Sequence, residues 1–185
     1  INPSSNFDAN TGYYVLIAAS AFDDADGGSY AGISSTTSLN FTSTNVLPTL
    51  SSSTPADDAT SVAIDTNIVL NFSENVTAQS GNIIIKKTSD DSTVETIDVA
   101  GGQVTGTGTS QITINPSSNF DANTGYYVLI AASAFDDADG GSYAGIGSTT
   151  ALTFTSANVL PTLSSSTPAD NATNVIKDGT IVLNF

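Results

Sequence analysis

The sequence predicts an all-β protein made of tandem β-sandwich repeats, and three observations support this prediction. The chain duplicates itself: residues 1–72 return as residues 114–185 at an offset of 113, and 62 of the 72 aligned positions are identical. The composition favours short strands and polar turns, with 26 Ser, 26 Thr and 15 Gly. No segment of ten residues or more shows the 3.6-residue apolar period of a helix.

The repeat length predicts the domain organisation. A period of 113 residues is too long for one turn of a solenoid and suits one whole small domain. We expect residues 1–47 to be the C-terminal part of one repeat, residues 48–160 a complete repeat, and residues 161–185 the N-terminal part of the next. On this interpretation the chain is a window from a longer array.

The first half of the complete unit predicts four strands. The first is an edge strand that ends at the Pro-Asp turn after Thr54. The second alternates with period 2, which places Ile68, Leu70 and Phe72 on one face. The polar stretch Ser73–Ser80 is predicted as a loop. In order, the four strands are Thr49–Thr54, Val62–Phe72, Gly81–Thr88 and Thr93–Val99.

The second half of the unit predicts three main strands. Glycines interrupt residues 101–108, so this stretch is a loose connection or an edge strand. The acidic stretch Phe135–Gly141 is predicted as a loop that leads through Tyr143–Ile146 to the last strand. The main strands are Gln111–Asn115, Tyr126–Ala132 and Ala151–Ser156. Seven or eight antiparallel strands per 113-residue unit describe an immunoglobulin-like sandwich, with a small closed barrel as the alternative.

Several of these segments also carry a family resemblance that covers the whole unit. They resemble the bacterial Ig-like domain family named after an S-layer protein, the SbsA-like Ig family. The resemblance implies a β-sandwich fold and a spacer or stalk role in secreted bacterial surface proteins, including adhesins and S-layer proteins. Where that family often has a plain D-x-x-G turn, this chain has the richer Asp136–Gly141. The segments that carry the resemblance are Pro48, Ser53–Asp57, Val62, Ile68–Val76, Tyr126–Val128, Phe135–Asp137 and Gly140.

Charge and composition exclude several functions. Eighteen acidic residues face three lysines, with no Arg or His, so the net charge is −15. We expect no nucleic-acid partner and no direct membrane contact, because both require a basic surface. Without His or Cys the chain lacks the usual zinc ligands and the Ser-His and Cys-His catalytic pairs. We therefore expect no enzymatic activity, and we expect an extracellular or cell-surface location.

The acidic loop is the candidate site. Asp136, Asp137 and Asp139 place three carboxylates within four positions, two glycines follow, and the copy of the loop carries Asp23, Asp24 and Asp26. Dense hard oxygen ligands on such a loop suit Ca²⁺, although the spacing is not that of an EF-hand. The alternative is a solvated acidic turn without a ligand.

Alternation of loops between the two ends of a sandwich extends this prediction. The Ser73–Ser80 loop and the Phe135–Gly141 loop are expected at the end where the chain enters the unit. If units stack head to tail, Asp8 of the preceding unit approaches them, near the linker residue Asn45. Ca²⁺ between the units then stiffens a linker that Pro48 already restricts. The expected ligands are Asp136, Asp137, Asp139, Asp23, Asp24, Asp26, Glu74 and Asp8.

The predicted function is mechanical. We expect a spacer or stalk of a secreted bacterial surface protein, whose partners are the neighbouring repeats of the same chain. The alternative is a subunit of an extracellular filament, sheath or S-layer in which identical chains associate through strand edges. A carbohydrate-binding module ranks last, because alternation is expected to bury one tyrosine of the pair Tyr126-Tyr127, which leaves little aromatic surface.

Overall fold

The computed structural model describes residues 1–185 and contains fourteen strands and no helix. It therefore has no helix of the length and apolarity needed to cross a bilayer. The strands are β1 (Gly12–Tyr14), β2 (Asn40–Thr42), β3 (Leu50–Thr54), β4 (Ala59–Val62), β5 (Ile68–Ala78), β6 (Asn82–Lys87), β7 (Thr93–Asp98), β8 (Val104–Thr105), β9 (Thr109–Ile114), β10 (Gly125–Ile130), β11 (Phe135–Asp136), β12 (Thr153–Ser156), β13 (Ser165–Thr167) and β14 (Val182–Asn184).

Strands β3 to β12 form one sandwich of two sheets. The first sheet has the order β4-β12-β10-β6-β7. In the second sheet β5 pairs with β9 on one edge, β9 pairs with β8, and both β3 and β11 pair with β5. Eight of these ten strands have four residues or more, and β8 and β11 have two each. The predicted sandwich is confirmed, since two separate sheets face each other rather than one closed barrel.

The core lies between the two sheets and contains twenty buried residues. Ile68, Leu70 and Phe72 face inward from β5, as their period-2 spacing predicts. Ile83 and Ile85 contribute from the facing sheet and are fully buried. Burial of one such side chain contributes about 1.5–3 kcal/mol relative to exposure, so this layer is the main source of stability.

The prediction of a loop over Ser73–Ser80 is wrong for residues 73–78, which belong to strand β5. Strand β5 continues through this stretch to Ala78, because Val76 keeps the inward alternation and is 1% exposed. The far end of β5 also gains a partner, since Ala78 pairs with Phe135 of β11. A shift of register against β9 between Asn71 and Val76 accommodates the polar residues in the middle.

The predicted strand Val62–Phe72 is divided into two strands. A turn at Ile64–Asp65 separates β4 from β5 and sends β4 to the opposite sheet. There β4 pairs with β12 in parallel, the one parallel pairing in the structure. The two strands are separated by most of the unit, so no short hairpin forces them to run antiparallel.

The duplicated sequence folds in the same local way in each copy. Strands β1 and β2 pair in the register of β10 and β12, with Tyr13 opposite Phe41 as Tyr126 is opposite Phe154. Strands β13 and β14 likewise repeat the register of β3 and β5. Apolar residues of the flanking segments are more exposed, because residues 73–113, which complete the sandwich, occur once in the chain. The predicted boundaries at 47/48 and 160/161 stay a prediction.

Candidate metal site at the unit junction

The linker and the acidic loop meet because both border the same edge of β5. Strand β3 pairs with the first part of β5, with Leu50 opposite Phe72. Strand β11 pairs with its last part, with Asp136 opposite Thr77. Residues 73–76 lie between these two pairings, where the linker arrives at β3 and the acidic loop leaves β11. The fold therefore brings two segments together that are about ninety residues apart in sequence.

Asp137 is the most buried carboxylate of the site, with 7% of its surface exposed. Its Oδ1 atom accepts hydrogen bonds from the backbone N–H groups of Asp139 at 2.8 Å and Gly141 at 2.7 Å. Its Oδ2 atom is buried and has no hydrogen-bond partner, and the same is true of Oδ1 of Asp136. Buried carboxylate oxygens without a partner are costly and call for a positive or hydrogen-bonding ligand.

The linker supplies a third buried oxygen without a partner, Oδ1 of Asn45. Gly141 explains how the linker approaches so closely. A Cβ atom at this position would collide with Oδ2 of Asp137 and with the amide nitrogen Nδ2 of Asn45, and would lie 2.9 Å from Cδ2 of Leu47. The absence of a side chain at Gly141 therefore permits the contact between linker and loop.

Glu74 joins this group from the middle of β5. Its side chain is half-buried between the inward residues Phe72 and Val76. Burial raises the pKa of Glu74, and the negative charges of Asp137 and Asp139 raise it further. Glu74 and the acidic loop thus lie at the same end of the sandwich, as expected, although Glu74 comes from a strand rather than a loop.

One hydrogen bond crosses from the preceding segment to the acidic loop. The side-chain amide of Asn10 donates to the carbonyl oxygen of Asp139 at 2.9 Å. Asp8 lies in the same turn, where its backbone N–H donates to the Tyr13 hydroxyl at 2.8 Å. The turn reaches the loop as the head-to-tail arrangement predicts, but the residue that touches it is Asn10. Coordination of a metal by Asp8 stays a prediction.

Asp121, which has the position of Asp8 in the complete unit, forms an ion pair. Nζ of Lys87 lies 2.7 Å from Oδ2 of Asp121, and this hydrogen bond and charge raise the pKa of Lys87. This is the one ion pair in the structure, and it lies at the opposite end of β10 from the acidic loop. No lysine therefore neutralises the carboxylates at the junction.

The first acidic loop has the same internal geometry in different surroundings. Oδ1 of Asp24 accepts from the N–H groups of Asp26 at 3.0 Å and Gly28 at 2.7 Å, as Asp137 does in the second loop. Asp23, Asp24 and Asp26 are nevertheless exposed, because no linker and no counterpart of Glu74 lie against them. The two loops differ in environment and not in sequence.

The donor set at the junction is mixed. No three His, Cys, Asp or Glu side chains lie close enough together to hold a metal ion by themselves. The unpartnered atoms are carboxylate oxygens of Asp136 and Asp137 and the amide oxygen of Asn45. Hard oxygen donors of this kind suit Ca²⁺, which accepts carboxylates, amide carbonyls and water at 2.3–2.6 Å.

The aromatic residues of the complete unit offer no binding platform. Every Phe and Tyr of residues 48–160 is buried. Tyr126 and Tyr127 are both covered, so the prediction that only one of them is buried is wrong. The Tyr127 hydroxyl donates to Oδ1 of Asp91 at 3.0 Å, and Nζ of Lys86 lies 5.9 Å from its ring centroid. These polar neighbours cover the outer face of the ring.

Two residues of the junction lie outside the predicted ligand set. The sequence places Asn45 near the site but not among its ligands, and it gives no prediction for Asn10. The position of each residue is the only indication in the sequence. Asn45 lies in the linker, three residues before Pro48, and Asn10 lies in a turn whose copy contains Asn123. Neither residue type attracts attention in a chain this rich in polar residues.

The fold and its strand order define an immunoglobulin-like β-sandwich module. A family model described as bacterial Ig-like domain matches residues 44–156, more than half of the chain, and the chain therefore belongs to this family. The resemblance seen in the sequence is confirmed. Among solved structures, the chain is similar to the S-layer protein rSbsC(31-844), with 19% sequence identity and a TM-score of 0.40. The match covers 72% of this chain and 19% of that one. No curated protein sequence matches this chain significantly.

Proposed function

We propose that this chain is a structural spacer of a secreted bacterial surface protein, in which consecutive Ig-like units hold a fixed orientation. Such a spacer holds a terminal domain away from the cell and carries no catalytic activity. Membership of the bacterial Ig-like family supports the bacterial origin and the structural role. The acidic surface, with a net charge of −15, supports an extracellular location rather than contact with nucleic acid or anionic lipid.

The observation that carries this proposal is the contact across the junction. Asn10 bonds to Asp139, and Asn45 and Leu47 of the linker pack against Gly141. Pro48, which follows them, is buried. A linker that packs against the next unit has fewer conformations than a free one, so consecutive units retain a preferred angle.

Small-angle X-ray scattering tests the proposal on a protein with three consecutive copies of residues 48–160. The eleven residues of β5 set the length of one unit at roughly 36 Å. A stiff array then has a maximum dimension of roughly 110 Å, whereas freely jointed units give a shorter and broader distribution.

The same experiment distinguishes the alternative function. A subunit of a filament, sheath or S-layer associates with identical chains, so its scattering mass rises with protein concentration. A monomer with the dimension of a rod supports the spacer. A monomer with a broad distribution of distances contradicts it, and a concentration-dependent mass replaces it with the assembly function.

A further inference from the structure

We propose that a groove along the β4–β12 edge of the complete unit binds a neutral glycan, and that different units of the repeat prefer different glycans. Two independent observations meet at this edge. One is the location of the positions at which the two copies of the repeat differ, and the other is a cavity lined mainly by hydrogen-bonding groups. Such a site goes beyond the spacer function and does not depend on it.

The ten positions at which the copies differ lie in two segments that the fold joins at one edge. Numbered in the complete unit, six lie within residues 58–67, which contain β4, and four lie within residues 147–157, which contain β12. These segments are distant in sequence and meet because β4 pairs in parallel with β12. The ten positions are 58, 61, 63, 64, 66, 67, 147, 151, 153 and 157.

Exposure alone does not explain this distribution. Exposed residues elsewhere in the repeat, such as Ser52, Thr54 and Ser118, are identical in both copies. Within the edge itself, Val62 and Phe154 are also identical, because they pack in the core. None of the ten substituted positions is fully buried. A surface that differs between otherwise identical units is typical of a site that selects a partner.

A groove of about 470 Å³ lies on this edge, and its volume is in the range of small-ligand sites. Its lining includes six threonines, the carboxylates of Asp58 and Asp91, and the hydroxyl-bearing ring of Tyr127. The threonines are Thr60, Thr88, Thr149, Thr150, Thr153 and Thr155. Positions 58 and 153 are two of the ten that differ between copies, so the groove and the substituted surface coincide.

The lining determines the class of ligand. No Lys side chain lines the groove, so a phosphate, sulfate or uronic acid group meets only negative charge there. The rings of Tyr126, Tyr127 and Phe154 are almost fully buried, so the groove offers no apolar platform to a lipid or to a stacked sugar ring. The accessible groups are hydroxyls and carboxylates, which exchange hydrogen bonds with the hydroxyl groups of a neutral sugar.

The fold orients both carboxylates of the groove. The hydroxyl of Thr153 donates to Oδ1 of Asp58 at 2.8 Å, and the hydroxyl of Tyr127 donates to Oδ1 of Asp91 at 3.0 Å. The second oxygen of each carboxylate makes no hydrogen bond within the protein and is free to accept one from a ligand. Polar groups that are already oriented lose little entropy on binding, which favours recognition of a small polar ligand.

The substitutions change the hydrogen-bonding pattern of the groove. Thr153 is Asn40 in the first copy, and Asp58 is Asn171 in the last. Each exchange keeps a polar side chain but changes its donors and acceptors, since an amide both donates and accepts whereas a carboxylate only accepts. A site that pairs with ligand hydroxyls discriminates strongly between patterns of this kind, so each unit prefers its own sugar.

NMR titration of the ¹⁵N-labelled 185-residue chain with neutral trisaccharides tests the proposal. The probes are maltotriose, mannotriose and chitotriose, and a sulfated disaccharide is the anionic control. We expect the amide signals of Asp91, Thr149 and Thr153 to shift with a neutral probe, with a dissociation constant on the order of 1 mM. The signal of Gly141, in the acidic loop, should not move, and the anionic control should shift none of them.

Two matched pairs of variants locate the site. Thr149→Ala removes an exposed hydroxyl of the groove and should weaken binding about fivefold, whereas Thr36→Ala, the same change in the first copy, should not. Asp58→Asn introduces the residue of the last copy and should change the ratio of affinities for two neutral probes about fivefold, whereas Asp98→Asn on β7 should not.

Unchanged signals of the core residues Ile83 and Ile85 verify that each variant is folded. No shift with any neutral probe at about 10 mM, a stronger response to the anionic control, or no effect of Thr149→Ala overturns the glycan site. Binding whose preference is the same in Asp58→Asn overturns the role of the substituted positions. The spacer function is tested separately, because the scattering of the three-copy protein is measured without a sugar.

Discussion

Asp24 and Asp137 occupy the same position in two identical loops, and their different surroundings decide their chemistry. Each uses one carboxylate oxygen to hold two backbone N–H groups of its own loop. Only Asp137 has its second oxygen buried without a partner. The residue type therefore determines the shape of the loop, while neighbouring segments determine whether that loop offers a ligand site.

At the scale of single residues, Tyr126 makes a testable contribution. Its side chain is fully buried, and its hydroxyl accepts a hydrogen bond from the backbone N–H of Asp121 at 2.8 Å. This is the arrangement of a tyrosine corner. Tyr126→Phe leaves that N–H without its partner, so we expect a loss of about 1–2 kcal/mol in the free energy of unfolding, measured with urea.

Tyr13→Phe is the matched control for Tyr126→Phe. Tyr13 makes the equivalent bond to Asp8 but is only half-buried, so water replaces the lost hydroxyl. A loss for Tyr13→Phe as large as that for Tyr126→Phe would show that burial is not the cause.

Glu95 gives a prediction about pH. Desolvation raises the pKa of Glu95, but hydrogen bonds from Gln103 and from the N–H of Ser117 outweigh it, so the pKa lies below the ordinary value of 4.5. A lowered folded-state pKa contributes stability that is present above pH 4.5 and is lost as the pH falls through the folded-state pKa.

Glu95→Gln therefore lowers the free energy of unfolding by about 1 kcal/mol at pH 7, after allowance for the partial exposure of the side chain. The difference from the unmodified protein should shrink in acid. Urea unfolding at several pH values measures this, with Asp65→Asn at an exposed turn as the control. A difference that grows in acid would contradict the prediction.

At the scale of elements, β5 organises the unit. Its eleven residues form the longest strand, and its two ends pair with different partners on the same edge, β3 and β11. This shared edge brings the linker to the acidic loop. The core strand and the candidate site therefore depend on the same element.

Val76→Ala tests whether residues 73–78 form a packed strand. Val76 is 1% exposed, so its truncation should cost about 2 kcal/mol in the free energy of unfolding. Thr77→Ala, at the exposed neighbouring position, should cost much less. If both variants lost the same small amount of unfolding free energy, residues 73–78 would be a loop, as the sequence predicts.

The strand pattern in the sequence was sufficient for most of the fold. Val, Ile, Tyr and Phe in these segments predict β6, β7, β9 and β10, and every predicted end lies within two residues of the observed one. The sequence predicts that β5 ends at Phe72, because Ser73, Glu74 and Asn75 have low strand propensity. In the structure β5 continues to Ala78, because burial of Val76 and the pairing with β11 outweigh that propensity. Pairings between distant segments, such as β4 with β12, leave no local signal.

The candidate site was predictable in part. Three aspartates next to two glycines indicated the loop, and alternation of loops placed Glu74 at the same end. The contributions of Asn45 and Asn10 were not predictable, because they depend on how one unit packs on the next. A sequence pattern within one unit does not contain that information.

At the scale of the whole molecule, the junction is the feature that one unit alone cannot show. Gly141→Ala places a methyl group against Asp137, Asn45 and Leu47. We expect it to separate the linker from the loop and to broaden the distance distribution of the three-copy protein in X-ray scattering. The core lies elsewhere, so the thermal midpoint should change little.

Gly102→Ala is the control for Gly141→Ala, since a Cβ atom there meets nothing within 4 Å. Its scattering profile should match that of the unmodified protein. If Gly141→Ala also leaves the profile unchanged, close packing of the linker does not determine the angle between units.

The hydrogen bond between Asn10 and Asp139 joins two different surfaces, the Asp8–Asn10 turn of the preceding segment and the acidic loop of the complete unit. A contact between unlike surfaces can repeat head to tail, whereas a two-fold contact pairs two identical surfaces and is then used up. An array built from such junctions would therefore have a direction. One extremity would present the acidic loop and the other the turn of Asn10, so two arrays could continue each other in one orientation only.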